Sequence, residues 1–236
     1  MKPLTCIIGI RCIDGVVLAG DQRVLRGTEY SNEKKIIQAF PGFVLGASGL
    51  VGLMDKFLYQ MREWQKSDEA TKIPYSWWQF LNVLEDITTT LFARYGQRLG
   101  AEEEIQVGAF DFDVLCGCKE FKDKATIYHL YRNGFAQEVK TFDIIGHGTP
   151  HALPFIKTLY DQKRKMQDMA KVAAFTLKLI DEEKIDLTVG GSSQVYLIPD
   201  IGDYGSEKEL TEQETSNLLN NVSPSDVLAG LFKLLV

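Results

Sequence analysis

The sequence predicts an α+β fold with its strands and helices in separate runs, and three observations carry that reading. Strand-like stretches, two amphipathic helices, more strands, two further helices and a closing strand follow one another along the chain. Asp14-Gly15 and Asn133-Gly134 each stand between apolar runs, a tight-hairpin signal that implies antiparallel pairing. Each helical stretch carries one apolar stripe, which needs a surface to cover. Two antiparallel sheets packed face to face, with helices on both outer faces, would use every stripe. Periodicity alone leaves that four-layer αββα sandwich as one option among several.

The elements follow in order. Residues 5–12 and 16–21 are β-rich runs separated by the Ile13-Asp14-Gly15 turn. Residues 35–40 and 43–48 repeat the pattern around Pro41-Gly42. Residues 50–65 place Leu53, Phe57 and Met61 at steps of four, as a helix requires. Ser76 is a suitable N-cap for a second helix, with Trp77, Phe80, Leu81, Leu84, Ile87, Thr88 and Leu91 on one stripe. Trp77 and Trp78 read as core anchors rather than as a ligand cage. Strands resume at 110–118, 125–131 and 135–140, and helices at 149–162 and 166–183. In the latter, Met169, Val172, Ala173, Leu177 and Ile180 form the face to be buried. Residues 194–198 close as a strand, residues 203–221 read as a polar tail, and Ser223-Pro224-Ser225-Asp226 caps a final helix.

The whole chain, 1–236, reads as one domain, with residues 1–4 as a short N-terminal extension. A net charge of −6 supplies no basic footprint, which argues against nucleic acid as a partner. No apolar run approaches the roughly 18 residues of a membrane span. The apolar stretch near the N-terminus is cut by Arg11 and Asp14 too soon for a signal peptide, so a cytoplasmic protein is expected. Cys116-Gly117-Cys118 has one spacer rather than two, with no second pair nearby, so Cys6, Cys12, Cys116 and Cys118 read as strand cysteines.

Residues 5–23, TCIIGIRCIDGVVLAGDQR, closely resemble the opening of proteasome β-subunits. A threonine opens the first strand, an Asp-Gly turn follows, and the next strand ends in an acid two before an arginine. The resemblance continues through Gly27, Lys34-Lys35-Ile36 and Ser48-Gly49-Leu50. It extends, more weakly, to Gly146-His147-Gly148-Thr149 and Asp186-Leu187-Thr188-Val189-Gly190-Gly191. It implies the αββα fold of the N-terminal-nucleophile hydrolases and a threonine-type peptidase without metal or organic cofactor. Peptides or unfolded proteins would be its substrates, and a homo-oligomeric ring its assembly. The short stretch before Thr5 favours the β type over the α type, which carries a longer N-terminal helix.

By that resemblance Thr5 is the nucleophile and its own α-amine the base. Lys35 supplies a positive field, Asp21 holds Lys35, the Gly49 N–H is the oxyanion donor, and Asp186 matches the family's aspartate. The chemistry is coherent. A threonine hydroxyl needs a nearby proton acceptor. An α-amine, at about 7.7–8.0, suits that task better than an unperturbed lysine at about 10.4. Asp21–Lys35 is expected as a half-exposed pair whose loss the fold would survive.

Three positions depart from the family pattern. Leu4 stands where a glycine usually precedes the threonine, His147 where a serine is usual, and Val189 where a second serine is expected. His147 is open to two readings, a loop histidine with a local hydrogen bond or an alternative base for Thr5. Cys6 is a rival nucleophile, but alternation turns it to the opposite face from Thr5. Two other functions stay open: a proteolytically silent subunit kept for assembly, and a transpeptidase or amidase on the same fold.

Overall fold

The computed structural model describes residues 5–26, 29–67, 77–96, 112–121, 124–203 and 205–220. Strands β1 (Ile7–Cys12) and β2 (Gly15–Asp21) form the hairpin predicted at Asp14-Gly15, with Cys12 opposite Gly15. A short ribbon of β3 (Arg23–Arg26) and β4 (Glu29–Asn32) follows, which the sequence reading did not anticipate. Strands β5 (Ile36–Phe40) and β6 (Phe43–Gly49) pair across Pro41-Gly42. Helix α1 spans Val51–Gln65 and α2 spans Trp77–Leu91, continued by a π-helical turn at Phe92–Gly96. Then come β7 (Phe112–Phe121), β8 (Lys124–Leu130), β9 (Ala136–Val139) and β10 (Phe142–Ile145). Helices α3 (Thr149–Leu159) and α4 (Met166–Glu182), strands β11 (Ser193–Pro199) and β12 (Lys208–Glu209), and helix α5 (Glu212–Leu219) complete the described chain.

Two five-stranded sheets result, ordered β10-β1-β2-β11-β12 and β5-β6-β7-β8-β9, and every neighbouring pair is antiparallel. Strand alternation sorts the apolar side chains into three clusters. Ile7, Leu18 and Ile198 of the first sheet meet Val44, Leu115 and Ile127 of the second. Ile8, Ile10, Val17 and Val195 turn the other way, against Ile156 of α3 and Met169, Ala173, Leu177 and Ile180 of α4. Phe43, Leu45, Cys116 and Leu130 pack against Phe57 and Met61 of α1 and Phe80 and Leu84 of α2. Gly117 shows how closely the sheets approach, because a Cβ there would lie 2.4 Å from Ile198 Cδ1. That accounts for Cys116-Gly117-Cys118: the glycine faces the other sheet, and both cysteines pack on the helix side. All four cysteines are free and buried.

Several expectations change. Residues 203–221 are more than a polar tail, since they hold β12 and α5, the latter opened by a reciprocal Thr211–Glu214 capping box. Strand β10 was missed, being four residues long and running straight into Gly146. Trp78 is 57% exposed and anchors no core. The Ser76 cap, the strand start at 110, Gly27 and the final helix fall outside the described residues. No helix among the described residues is long and apolar enough to cross a membrane.

Candidate active site

The β1–β2 hairpin sets the first part of the site. Thr5 lies just ahead of β1 and is 1% exposed. Antiparallel pairing brings the end of β2 back beside it: the Cys6 N–H donates to Asp21 Oδ1 at 2.8 Å, and the Asp21 N–H donates to the Cys6 carbonyl. Lys35, immediately before β5, reaches across from the second sheet. Its Nζ lies 2.9 Å from both Asp21 oxygens, and each side chain is 1% exposed.

This corrects the expected half-exposed pair. Asp21 also accepts the backbone N–H groups of Arg23 and Gly190, both at 3.2 Å. Burial pushes the Asp21 carboxyl up and the Lys35 ammonium down from their ordinary values, and each charge opposes the other's shift.

Gly49 ends β6 at φ 137°, a backbone state that favours glycine, and α1 begins two residues later. Beside it the Ser48 hydroxyl is fully buried and has no hydrogen-bond partner among the described residues. The turn after β10 closes over Thr5. Gly146, at φ 95°, would place a Cβ 2.3 Å from the Thr5 carbonyl oxygen, and the Gly148 N–H donates to that same oxygen at 3.1 Å.

His147, between those glycines, meets the loop that precedes β11. Its Nδ1 lies 2.9 Å from Asp186 Oδ2, while the Thr188 hydroxyl and N–H donate to Asp186 Oδ1 at 2.5 and 2.8 Å. Burial would raise the Asp186 carboxyl, but the bonds from Thr188 and His147 outweigh it and hold the group below the usual carboxylate range. His151 Nε2 stands 3.9 Å from the same carboxylate. Val189 is fully buried in the α3–α4 cluster and brings no hydroxyl to the site.

Cys6 also belongs to that cluster. Burial, reinforced by the Asp21 charge, pushes its thiol far above its ordinary value and keeps it protonated, which disfavours it as a nucleophile. Arg23, read only as part of the resemblance, proves to be the clamp on the 186–191 loop. One guanidinium nitrogen donates to the Leu187 and Val189 carbonyls, each at 3.1 Å, and the other pairs with Asp181 at 2.8 Å. The Thr188 bonds were also missed, although Asp-x-Thr is a local pattern that offers them. Among the described residues no group of three or more metal-ligating side chains forms.

Two antiparallel sheets, with Thr5 just ahead of the first strand and the N–H of the next residue bonded to a buried Asp21–Lys35 pair, agree with the fold of the N-terminal-nucleophile hydrolases. The sequence profile of the proteasome subunit family matches residues 1–198, and the chain belongs to that family. It is 26% identical to the proteasome subunit beta of Halobacterium salinarum over 186 residues, which cover 77% of this chain and 69% of that one. Among solved structures, Anbu (ancestral beta-subunit) from Yersinia bercovieri aligns over 97% of this chain and 96% of its own, with a TM-score of 0.75 at 15% identity. Anbu from Hyphomicrobium sp. strain MC1 aligns over 97% of each chain at 0.71 and 20% identity. The helical assembly of the Anbu complex from Pseudomonas aeruginosa aligns over 98% and 95% at 0.74 and 14%. At these identities the structures show a shared fold.

Proposed function

We propose that this chain is a threonine-type peptidase of the proteasome β type, acting through Thr5 once its α-amine is exposed. The observation that carries the reading is the buried Lys35–Asp21 pair, bonded to the backbone of the residue that follows Thr5. A cation in that position favours the neutral, proton-accepting form of an adjacent amine. The Thr5 hydroxyl attacks the substrate carbonyl and its proton goes to the Thr5 amine, while the Gly49 N–H steadies the oxyanion. The proton then passes to the leaving amine, and water hydrolyses the Thr5 ester. Asp186 borders the threonine through the 146–148 turn.

The proposal extends to architecture and assembly. The chain is one domain with its layers in the order helix, sheet, sheet, helix, a reading the three apolar clusters support. It is cytoplasmic and acts on peptides or unfolded proteins as a homo-oligomer. A closed ring is the symmetric expectation, and the helical assembly of a structural neighbour supports self-association. Light scattering that finds only the 26.6 kDa monomer at micromolar concentration would oppose it.

A form beginning at Thr5 should cleave members of a diverse peptide library, and Thr5→Ala in the same form should cleave none. If the folded, assembled Thr5 form cleaves nothing, the silent-subunit reading replaces this one. Three positions favour that alternative: Leu4 stands where the family usually has a glycine, and Val189 and His147 stand where it usually has serines.

A further inference from the structure

A cavity of about 330 Å³ opens where the end of α4, helix α5 and the residues leading into β11 meet, and none of the groups assigned above to the peptidase lines it. Its size is that of a small-molecule site. Helix α4 contributes Lys178, Asp181 and Glu182 from its C-terminal end, and α5 contributes Glu212 and Thr215. Two of the three carboxylates already have cations: Asp181 is bonded to Arg23 at 2.8 Å, and Glu182 stands 3.5 Å from Lys178. The Glu212 carboxylate therefore leaves the lining acidic.

Thr215 adds an observation of a different kind. It lines the cavity and is 5% exposed, yet its hydroxyl has no hydrogen-bond partner among the described residues. Folded proteins pair nearly all such buried groups, so an occupant of the cavity is called for. An ammonium group donates three hydrogen bonds and accepts none. The Glu212 carboxylate and the hydroxyls of Thr215 and Ser193 can all accept, and Leu219 offers an apolar surface to a methylene chain. An anion would meet three carboxylates against one ammonium. A bare divalent metal lacks its ligands, since among the described residues no group of three or more metal-ligating side chains forms. From this cavity we infer a binding site for a small aliphatic amine, with Glu212 and Thr215 as its principal contacts.

The site adjoins the loop that carries Asp186, and it stands whether or not the chain is a peptidase. Gly191 lines the cavity, and its N–H donates to Asp181 Oδ2 at 3.1 Å. The neighbouring Gly190 N–H reaches Asp21, and Ser193 lies opposite Asp21 in the pairing of β11 with β2. An amine that binds only the closed arrangement makes local openings that dismantle the cavity rarer. At about ten times its dissociation constant the effect is about tenfold.

The test is calorimetric titration of the full chain with the diamine putrescine, with amide exchange followed on the same samples. Saturable binding is expected, and exchange at Gly190 and Gly191 should slow by about tenfold under those conditions. Glu212→Gln should weaken binding by about tenfold or more, through loss of a charge-assisted contact, and Thr215→Val should weaken it several-fold. Asp86→Asn removes a charge from a different cleft, between α1 and α2, and should leave binding unchanged. Urea midpoints show whether each variant is folded. The site is overturned if the heats do not saturate, if Asp86→Asn weakens binding as much as Glu212→Gln, or if folded Glu212→Gln and Thr215→Val proteins bind as the parent does. Preference for succinate, of similar length and opposite charge, would overturn the assignment to an amine. Binding with unchanged exchange at Gly190 and Gly191 would overturn the link to the loop.

Discussion

Asp21 is the residue on which the site turns, because one carboxylate accepts from Lys35 Nζ and from the N–H groups of Cys6, Arg23 and Gly190. Removing one member of a buried ion pair costs about 3–5 kcal/mol, since the other charge is stranded. Lys35→Met should therefore lower stability by about that much, and Asp21→Ala by more, because three backbone donors lose their acceptor as well. The double variant Asp21→Ala/Lys35→Met should cost clearly less than the sum of the two single changes. Urea midpoints would check this, and a Lys35→Met protein as stable as the parent would show that the pair holds nothing. The residue types of this site were legible in the sequence: Thr5, Asp21 and Lys35 fall in one stretch whose hairpin is signalled by Asp14-Gly15. Their burial was not legible. It depends on Gly190, far along the chain, folding back onto the end of β2.

At the scale of elements, the 186–191 loop carries Asp186 and Gly190 to the site, and its position rests on a side chain from the start of β3. Arg23 bonds two carbonyls of the loop and, through Asp181, the end of α4, while the Gln22 and Arg23 N–H groups donate to the Gly190 carbonyl. Arg23→Ala should leave the sheets intact but free the loop, at a cost of about 1–3 kcal/mol for charge-assisted bonds. Amide exchange at Thr188, Val189 and Gly190 should quicken while β1 and β2 stay protected. Unchanged exchange at those three amides would refute the clamp. Helices α1 to α4 and the β1–β2, β5–β6 and β8–β9 hairpins were readable because each has either a stripe at period 3.6 or a turn dipeptide. Strands β10 and β12 have neither. Phe142–Ile145 and Lys208–Glu209 are strands because β1 and β11 offer open edges, so the partner rather than the segment makes them. Trp78 failed for a related reason: it falls off the stripe that carries Phe80, Leu81 and Leu84 into the core.

Across the whole molecule, a charged strut joins the two sheets beside the apolar contacts between them. His129 on β8 places Nδ1 2.6 Å from Asp143 on β10 and Nε2 3.4 Å from Asp113 on β7, and its ring stacks on Tyr131 at 4.0 Å. Burial alone would lower the imidazole's proton affinity, yet Asp113 and Asp143 together outweigh it and lift the pKa to about 9. The unfolded chain binds the same proton with a pKa near 6.5. The folded value is the higher one, so the strut contributes in full below about pH 6.5, weakens as pH rises through about 9 and is gone above that. The difference corresponds to at most about 3 kcal/mol. Thermal or urea unfolding at a series of pH values should therefore show stability falling across that interval. His129→Gln should be less stable than the parent at pH 6.5 and nearly level from there to pH 10, so that the two curves converge on the alkaline side. Parallel curves for the two proteins would mean that the pH dependence arises elsewhere, and that the sheets are held without the strut.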